Sequence, residues 1–178
     1  MKKIIIFGLI AALCLALVAC SPSSGKDKAE DSAPASSDAA AEVYTFTYRD
    51  VKIALGDEVA PIVKKLGEPK KYFESQSCAF QGLDKVYTYS GVVIRTFPKD
   101  KVDYVLSVEF KDDTVATEEG IAIGDTREKV EKAYGKAASS GSAVTYSKGG
   151  VSISIIYGED GNVSSITYTL DNQSTSNN

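Results

Sequence analysis

Residues 53–67 read "IALGDEVAPIVKKLG", and residues 121–135 read "IAIGDTREKVEKAYG". The second stretch repeats the first in step: Gly56 matches Gly124, Asp57 matches Asp125, Ile62 matches Val130, Leu66 matches Tyr134 and Gly67 matches Gly135. Internal similarity of this kind is structural information first, because each copy is one supersecondary unit. In the first stretch Val59, Ile62, Val63 and Leu66 fall at i, i+3, i+4 and i+7, which predicts the apolar stripe of a short helix. In the second the stripe thins to Val130, Ala133 and Tyr134, with Arg127 where Val59 stood. Asp57 and Asp125 occupy the N-cap place, and Glu128 after Asp125 makes an acidic relative of the capping box. Gly67 and Gly135 lie where a C-terminal cap wants positive φ, and Pro69 confirms the first stop. Pro61 lacks an N–H at the end of the first turn, which predicts a helix starting a residue or two late.

Short alternating strands follow each helix. Val92, Ile94 and Thr96 align with Val151, Ile153 and Ile155 on one face, and Val93, Arg95 and Phe97 align with Ser152, Ser154 and Ile156 on the other. Turn signals separate the strands at 81–84, 98–101 and 158–162. The expected fold is therefore α+β: two tandem repeats, residues 43–117 and 118–170, each a short helix packed on one face of an antiparallel β-meander. A meander that small with one helix is marginal alone, so the two copies are expected to share a continuous sheet or an interface.

The flanks are of another kind. "MKKIIIFGLIAALCLALVAC" opens with two lysines and an apolar core too short for a bilayer span, as expected of an export signal over residues 1–19. Leu17-Val18-Ala19-Cys20 resembles the bacterial lipobox, which implies that Cys20 becomes the acylated first residue of the mature chain. Two or more acyl chains hold a protein firmly on a membrane, so the expected location is the outer side of a bacterial cell membrane, anchored but not spanning. Residues 20–42 then form the lipidated cysteine and a disordered tether, and residues 171–178 a disordered tail. With Cys14 in the leader and Cys20 acylated, Cys78 has no disulfide partner, and a small buried hydrophobe is its expected role.

Composition excludes several chemistries. The chain has no histidine, which removes imidazole acid–base catalysis and histidine metal ligation. No cysteine pair remains for zinc, and no serine sits in a G-x-S-x-G or S-x-x-K setting. No catalytic residue, metal site or cofactor is expected, and the protein is expected not to be an enzyme. The net charge of −4 becomes −6 when Lys2 and Lys3 leave with the leader, which argues against nucleic acid and against docking on an acidic lipid surface. The acidic pairs 112–113 and 118–119 are expected to be a solvated connection.

A strand ending in Gly, a polar cap, a short helix ending in Gly and then a β-meander, all twice, resembles the β-lactamase inhibitory protein family. The single unit also resembles the small outer-membrane lipoproteins of the SmpA/OmlA type, which support barrel assembly. The first resemblance implies that Asp84, ahead of Tyr87 and Tyr89, stands where the inhibitors insert an aspartate into the enzyme. This chain departs from that pattern in lacking a partner for Cys78 and in its short segment 139–150, which holds no phenylalanine.

Tyrosine, with large contact area and a polar tip, suits interfaces, and the chain has ten. If the helix covers the Val92/Ile94 face, Arg95 and Phe97 lie on an open face, which Tyr87 and Tyr89 can join if the register allows; Tyr146 is the repeat partner of Tyr89. The expected function is a monomeric, membrane-anchored binding module that takes an unknown envelope protein or ligand through residues Asp84, Tyr87, Tyr89, Arg95, Phe97 and Tyr146. The alternative is an assembly lipoprotein whose repeats are a rigid spacer, and a third reading is β-lactamase inhibition.

Overall fold

The computed structural model describes residues 42–138 and 141–171, all within one compact unit. Cys20, the leader, most of the tether and all but the first residue of the tail lie outside the described residues. A hairpin of two three-residue strands comes first, β1 (Phe46–Tyr48) and β2 (Val51–Ile53), turned by Arg49 and Asp50 at φ 50° and 62°. Helix α1 (Val59–Leu66) follows, then β3 (Lys71–Gln76), β4 (Leu83–Thr88), β5 (Val92–Lys99) and β6 (Val102–Phe110). Helix α2 (Arg127–Tyr134) leads into β7 (Ala143–Lys148), β8 (Val151–Tyr157) and β9 (Val163–Leu170). The seven longer strands form one antiparallel sheet in the order β3-β4-β5-β6-β9-β8-β7.

This overturns the expected α+β fold of two helix-plus-meander repeats. The molecule is mostly β, with two eight-residue helices; its seven longer strands belong to one large sheet, and β1 and β2 pair separately. The physical reason lies at the centre of the sheet. Separate meanders would each expose two edges, and the pairing of β6 with β9 (Ser107 with Thr169, Glu109 with Thr167) removes one from each. Nor does each helix serve as a cover of its own. Helix α1 buries Val59, Ile62 and Leu66, but α2 buries only Val130. The missing apolar cover comes from the β1–β2 hairpin, whose Phe46 packs against Phe110 and Tyr168 at 4.9 and 5.8 Å.

The duplicated stretches perform one local task at two places. The Gly56 N–H donates to Val105 O at 2.8 Å, and the Val105 N–H returns to Asp57 O at 2.9 Å. Gly124, Val163 and Asp125 make the same pair of bonds at 2.7 and 2.8 Å. Each Gly-Asp turn thus staples the start of a helix to a central strand, β6 or β9.

The caps sit one residue later than the sequence suggests. Glu58 and Thr126 are the N-cap residues, and the Thr126 hydroxyl accepts from the Lys129 N–H at 3.4 Å. Asp125 instead accepts from the Ala122 N–H at 2.8 Å and from Lys129 Nζ at 2.7 Å. Burial opposes its ionisation, yet those partners hold its carboxyl below the usual range. Helix α1 does not start late: Pro61 is its third residue, and the first four N–H groups have no helical acceptor anyway.

Candidate binding surface

Register assigns every strand residue to a face. Ile94 opposes Tyr87 and Val108, and Val108 opposes Tyr168, which opposes Ile153. All of these belong to the core or pack against it, under α1, α2 and the β1–β2 hairpin. On the opposite face Arg95 stands between Val86 and Ser107, and Ser107 lies beside Thr169, which opposes Ser152. Every residue of the main core cluster that lies on a strand of the seven-stranded sheet points to the first face. Val93 and Phe97, buried on the second face, lie outside that cluster. The sheet is therefore packed on one side and open on the other.

The residues singled out from the sequence divide between the two faces. Asp84, Arg95 and Phe97 belong to the open face. Arg95 is 48 % exposed and pairs with Glu109 at 3.1 Å. Phe97 is buried, roofed by Phe80 and Tyr104 with ring centroids at 5.3 and 5.7 Å. Asp84 is half-buried, paired across the ladder with Ser75 rather than projecting from a loop tip.

Tyr87, Tyr89 and Tyr146 do not join them. Tyr87 stands opposite Ile94 on the packed face, against Tyr72 at 5.1 Å. The buried Tyr89 donates its hydroxyl to Gly67 O at 3.0 Å, at the end of α1. Tyr146 donates to Gly135 O, also at 3.0 Å, at the end of α2. These two repeat partners clamp helix C-termini. Their hydroxyls satisfy carbonyls that a helix leaves without partners, and burial raises the pKa of both.

Two features of the surface escape a reading of local pattern. The half of the open face over β9, β8 and β7 is a field of hydroxyls, including Thr167, Thr169, Ser152, Ser154, Thr145 and Ser147. Ser147 and Ser152 share a hydrogen bond at 2.6 Å, and Ser152 donates to Asp171 at 2.6 Å. The alternation in "VSISI" and "TYTL" carries this signal once the pairing is known. The edge strand β3 presents Phe73, 63 % exposed, on the same face.

Cys78 corrects another expectation: it is exposed. The β3–β4 loop turns Phe80 inward onto Phe97, and the Ser77 hydroxyl accepts from the N–H groups of Ala79 and Phe80, which leaves Cys78 on the outside. Among the described residues no group of three acidic or thiol side chains is placed to hold a metal ion.

No family model matches the chain, and no curated protein matches it. Among solved structures, the chain is similar to an extracellular protein containing a SCP domain from Bacillus anthracis, at 12 % identity and a TM-score of 0.39. The likeness covers 66 % of this chain and 44 % of that one, and at that TM-score it carries no argument about fold or activity.

Proposed function

We propose that this chain is a non-catalytic binding module, lipid-anchored outside the cytoplasm through Cys20, that engages a protein or envelope component through the open face of its sheet. The observation that carries this reading is the one-sided packing. The whole core cluster lies beneath one face, and the other keeps an exposed Arg95–Glu109 pair, an exposed Phe73 and a field of hydroxyls. A large sheet face with a few apolar and charged anchors among hydroxyls suits recognition, since hot spots are few and are surrounded by near-neutral contacts. Anchoring is supported by the Leu-Val-Ala-Cys stretch, and no helix of the described residues is long and apolar enough to cross a membrane.

The test is capture from the native envelope by the full-length lipoprotein and by an Arg95→Glu, Phe73→Ser variant. Both positions are exposed, so the fold is expected to survive the substitutions, which an unchanged circular dichroism spectrum checks. A partner recovered with the parent and lost with the variant is the expected result. Partners unchanged by the substitutions would favour the spacer reading. The resemblance to the inhibitors nominates a β-lactamase as a first partner to try, with Asp84→Ala as the variant expected to lose it. Intact-mass measurement of parent and Cys20→Ser chains tests the anchor: an identical, unacylated N-terminus in both rejects it.

A further inference from the structure

A cleft of about 400 Å³ opens at the end of the sheet where β4 turns into β5. Three lysines line it, Lys70, Lys71 and Lys111, together with Thr88, Ser90 and Gly91. The ladder brings them together: Lys71 opposes Thr88, Thr88 opposes Val93, and the Lys111 N–H donates to Gly91 O at 2.8 Å. Lys71 and Lys111 thus flank the β4–β5 turn across three strand spacings, about 14 Å. Residues from both sides of the turn line the cleft.

Four observations make this a site rather than a solvated edge. None of the three lysines forms an ion pair among the described residues, although the chain as a whole is acidic. The N–H groups of Ser90 and Gly91 meet no protein acceptor among the described residues, and Gly91 is buried. Two successive free amides in a turn form an anion-binding concavity. The acidic residue of the lining, Asp112, is turned to Thr114, accepting from its N–H at 3.0 Å and from its hydroxyl. Those hydrogen bonds, with lesser help from Lys111 and Lys70, hold its carboxyl below the usual range. Finally, an adjoining cleft, also about 400 Å³, shares Ser90 and brings Arg49 to the other side of the turn.

We propose that this cleft binds a phosphate-type oxyanion, held by Lys70, Lys71 and Lys111 with the Ser90–Gly91 amides and the Thr88 and Ser90 hydroxyls as donors. Lysine supplies the point charges and the turn supplies directed donors, which is the combination a multi-oxygen anion uses and a single carboxylate does not fill. The anion is carried by a soluble phosphate or glycerol phosphate chain, or by a phospholipid headgroup. Lys71 and Thr88 fall on the open-face side of the ladder through their pairing with Val93, so the cleft borders that face, but it uses neither Phe73 nor Arg95.

The test titrates the full-length lipoprotein in neutral detergent with inorganic phosphate, with oligomeric glycerol phosphate, and with phosphatidylglycerol vesicles against phosphatidylcholine vesicles. The readouts are affinity and the amide NMR shifts of Ser90 and Gly91. The parent is expected to bind with those two amides shifted, and a Lys70→Gln, Lys71→Gln, Lys111→Gln variant to bind at least about tenfold more weakly. Lys64→Gln, Lys65→Gln, which removes the same kind of charge outside the cleft, is expected to bind as the parent does. A response to the glycerol phosphate chain without phosphatidylglycerol assigns the soluble source, and the converse assigns the headgroup. Unmoved Ser90 and Gly91 amides, or equal losses in the two lysine variants, overturn the proposal.

Discussion

Tyr89 and Tyr146 make the same hydrogen bond in different surroundings, so removing each hydroxyl weighs burial directly. Both donate to the carbonyl of the glycine that ends a helix, at 3.0 Å. Tyr89 is 2 % exposed in the main core, whereas Tyr146 lies on an edge strand beside Tyr134. A net hydrogen bond contributes about 0.5–1.5 kcal/mol, less where water replaces the lost donor. Tyr89→Phe is therefore expected to cost about 1 kcal/mol and Tyr146→Phe about 0.5 kcal/mol, with ring packing kept in both. For a domain of this size 1 kcal/mol lowers Tm by roughly 3–5 °C. Thermal and urea unfolding measure the two costs. Native-state hydrogen exchange locates them, since the Gly67 N–H, bonded to Val63 O at 2.9 Å, should exchange faster only in Tyr89→Phe. An eight-residue helix is far too short to hold itself, so its end depends on this clamp. Wild-type stability in Tyr89→Phe, or a larger loss in Tyr146→Phe, refutes the clamp. Tyr89→Ala would cost about 3–5 kcal/mol and so reports on folding rather than on binding.

Four further outcomes follow from single contacts. Asp125, with its pKa depressed in the folded chain, contributes stability that is present above the ordinary carboxylate value of 3.8 and lost as pH falls through the folded value. Asp125→Asn should therefore flatten the fall of the urea midpoint below about pH 4, and an unchanged slope would exclude that contribution. Gly82 has φ 129°, and a Cβ there would lie 2.9 Å from Pro98 Cβ; Gly82→Ala should cost about 2 kcal/mol in urea unfolding, and no cost would exclude the close approach. Asp100 and Lys101 turn the β5–β6 hairpin at φ 52° and 66°, so Asp100→Asn with Lys101→Gly should raise Tm by about 3 °C; an unchanged Tm would show the turn to be unstrained. Phe73→Lys on the bare β3 edge should raise the concentration at which light scattering begins, with Tm unchanged, and an unaltered onset would clear that edge of self-association.

What the sequence makes legible is local. The α1 stripe, the positive φ of Gly67 and Gly135 at 77° and 86°, and the two faces of β5 all follow from spacing within a few residues. What it hides is pairing. Parity puts Tyr87 and Tyr89 on one side of β4, but whether that side carries Ile94 or Arg95 depends on the length of the Tyr89–Val92 turn. A one-residue slip exchanges the faces. The contact of β6 with β9 joins residues far apart in the chain and has no local signature. The β1–β2 hairpin is hidden for another reason. Its strands are three residues long, too short for a period, and its turn uses Arg49 and Asp50 without a glycine.

Duplication also separates scaffold from specialisation. Where the two stretches agree, their residues have structural work to do: the Gly-Asp turns staple helices to β6 and β9, and the tyrosines clamp the helix ends. Where they differ, that explanation is absent. The counterparts of Lys70 and Lys71 in the second stretch are Ala138 and Ser139, so a helix leading into an edge strand does not require cations at these places. Arg95 and Phe97 correspond to Ser154 and Ile156, so the open face does not require a charged centre either. The exposed charges of Lys70, Lys71 and Arg95 are therefore not requirements of the duplicated scaffold, which dispenses with them in its second copy. The proposed oxyanion cleft and the proposed anchors of the open face both fall in the first half of the sheet, where the copies differ in this way.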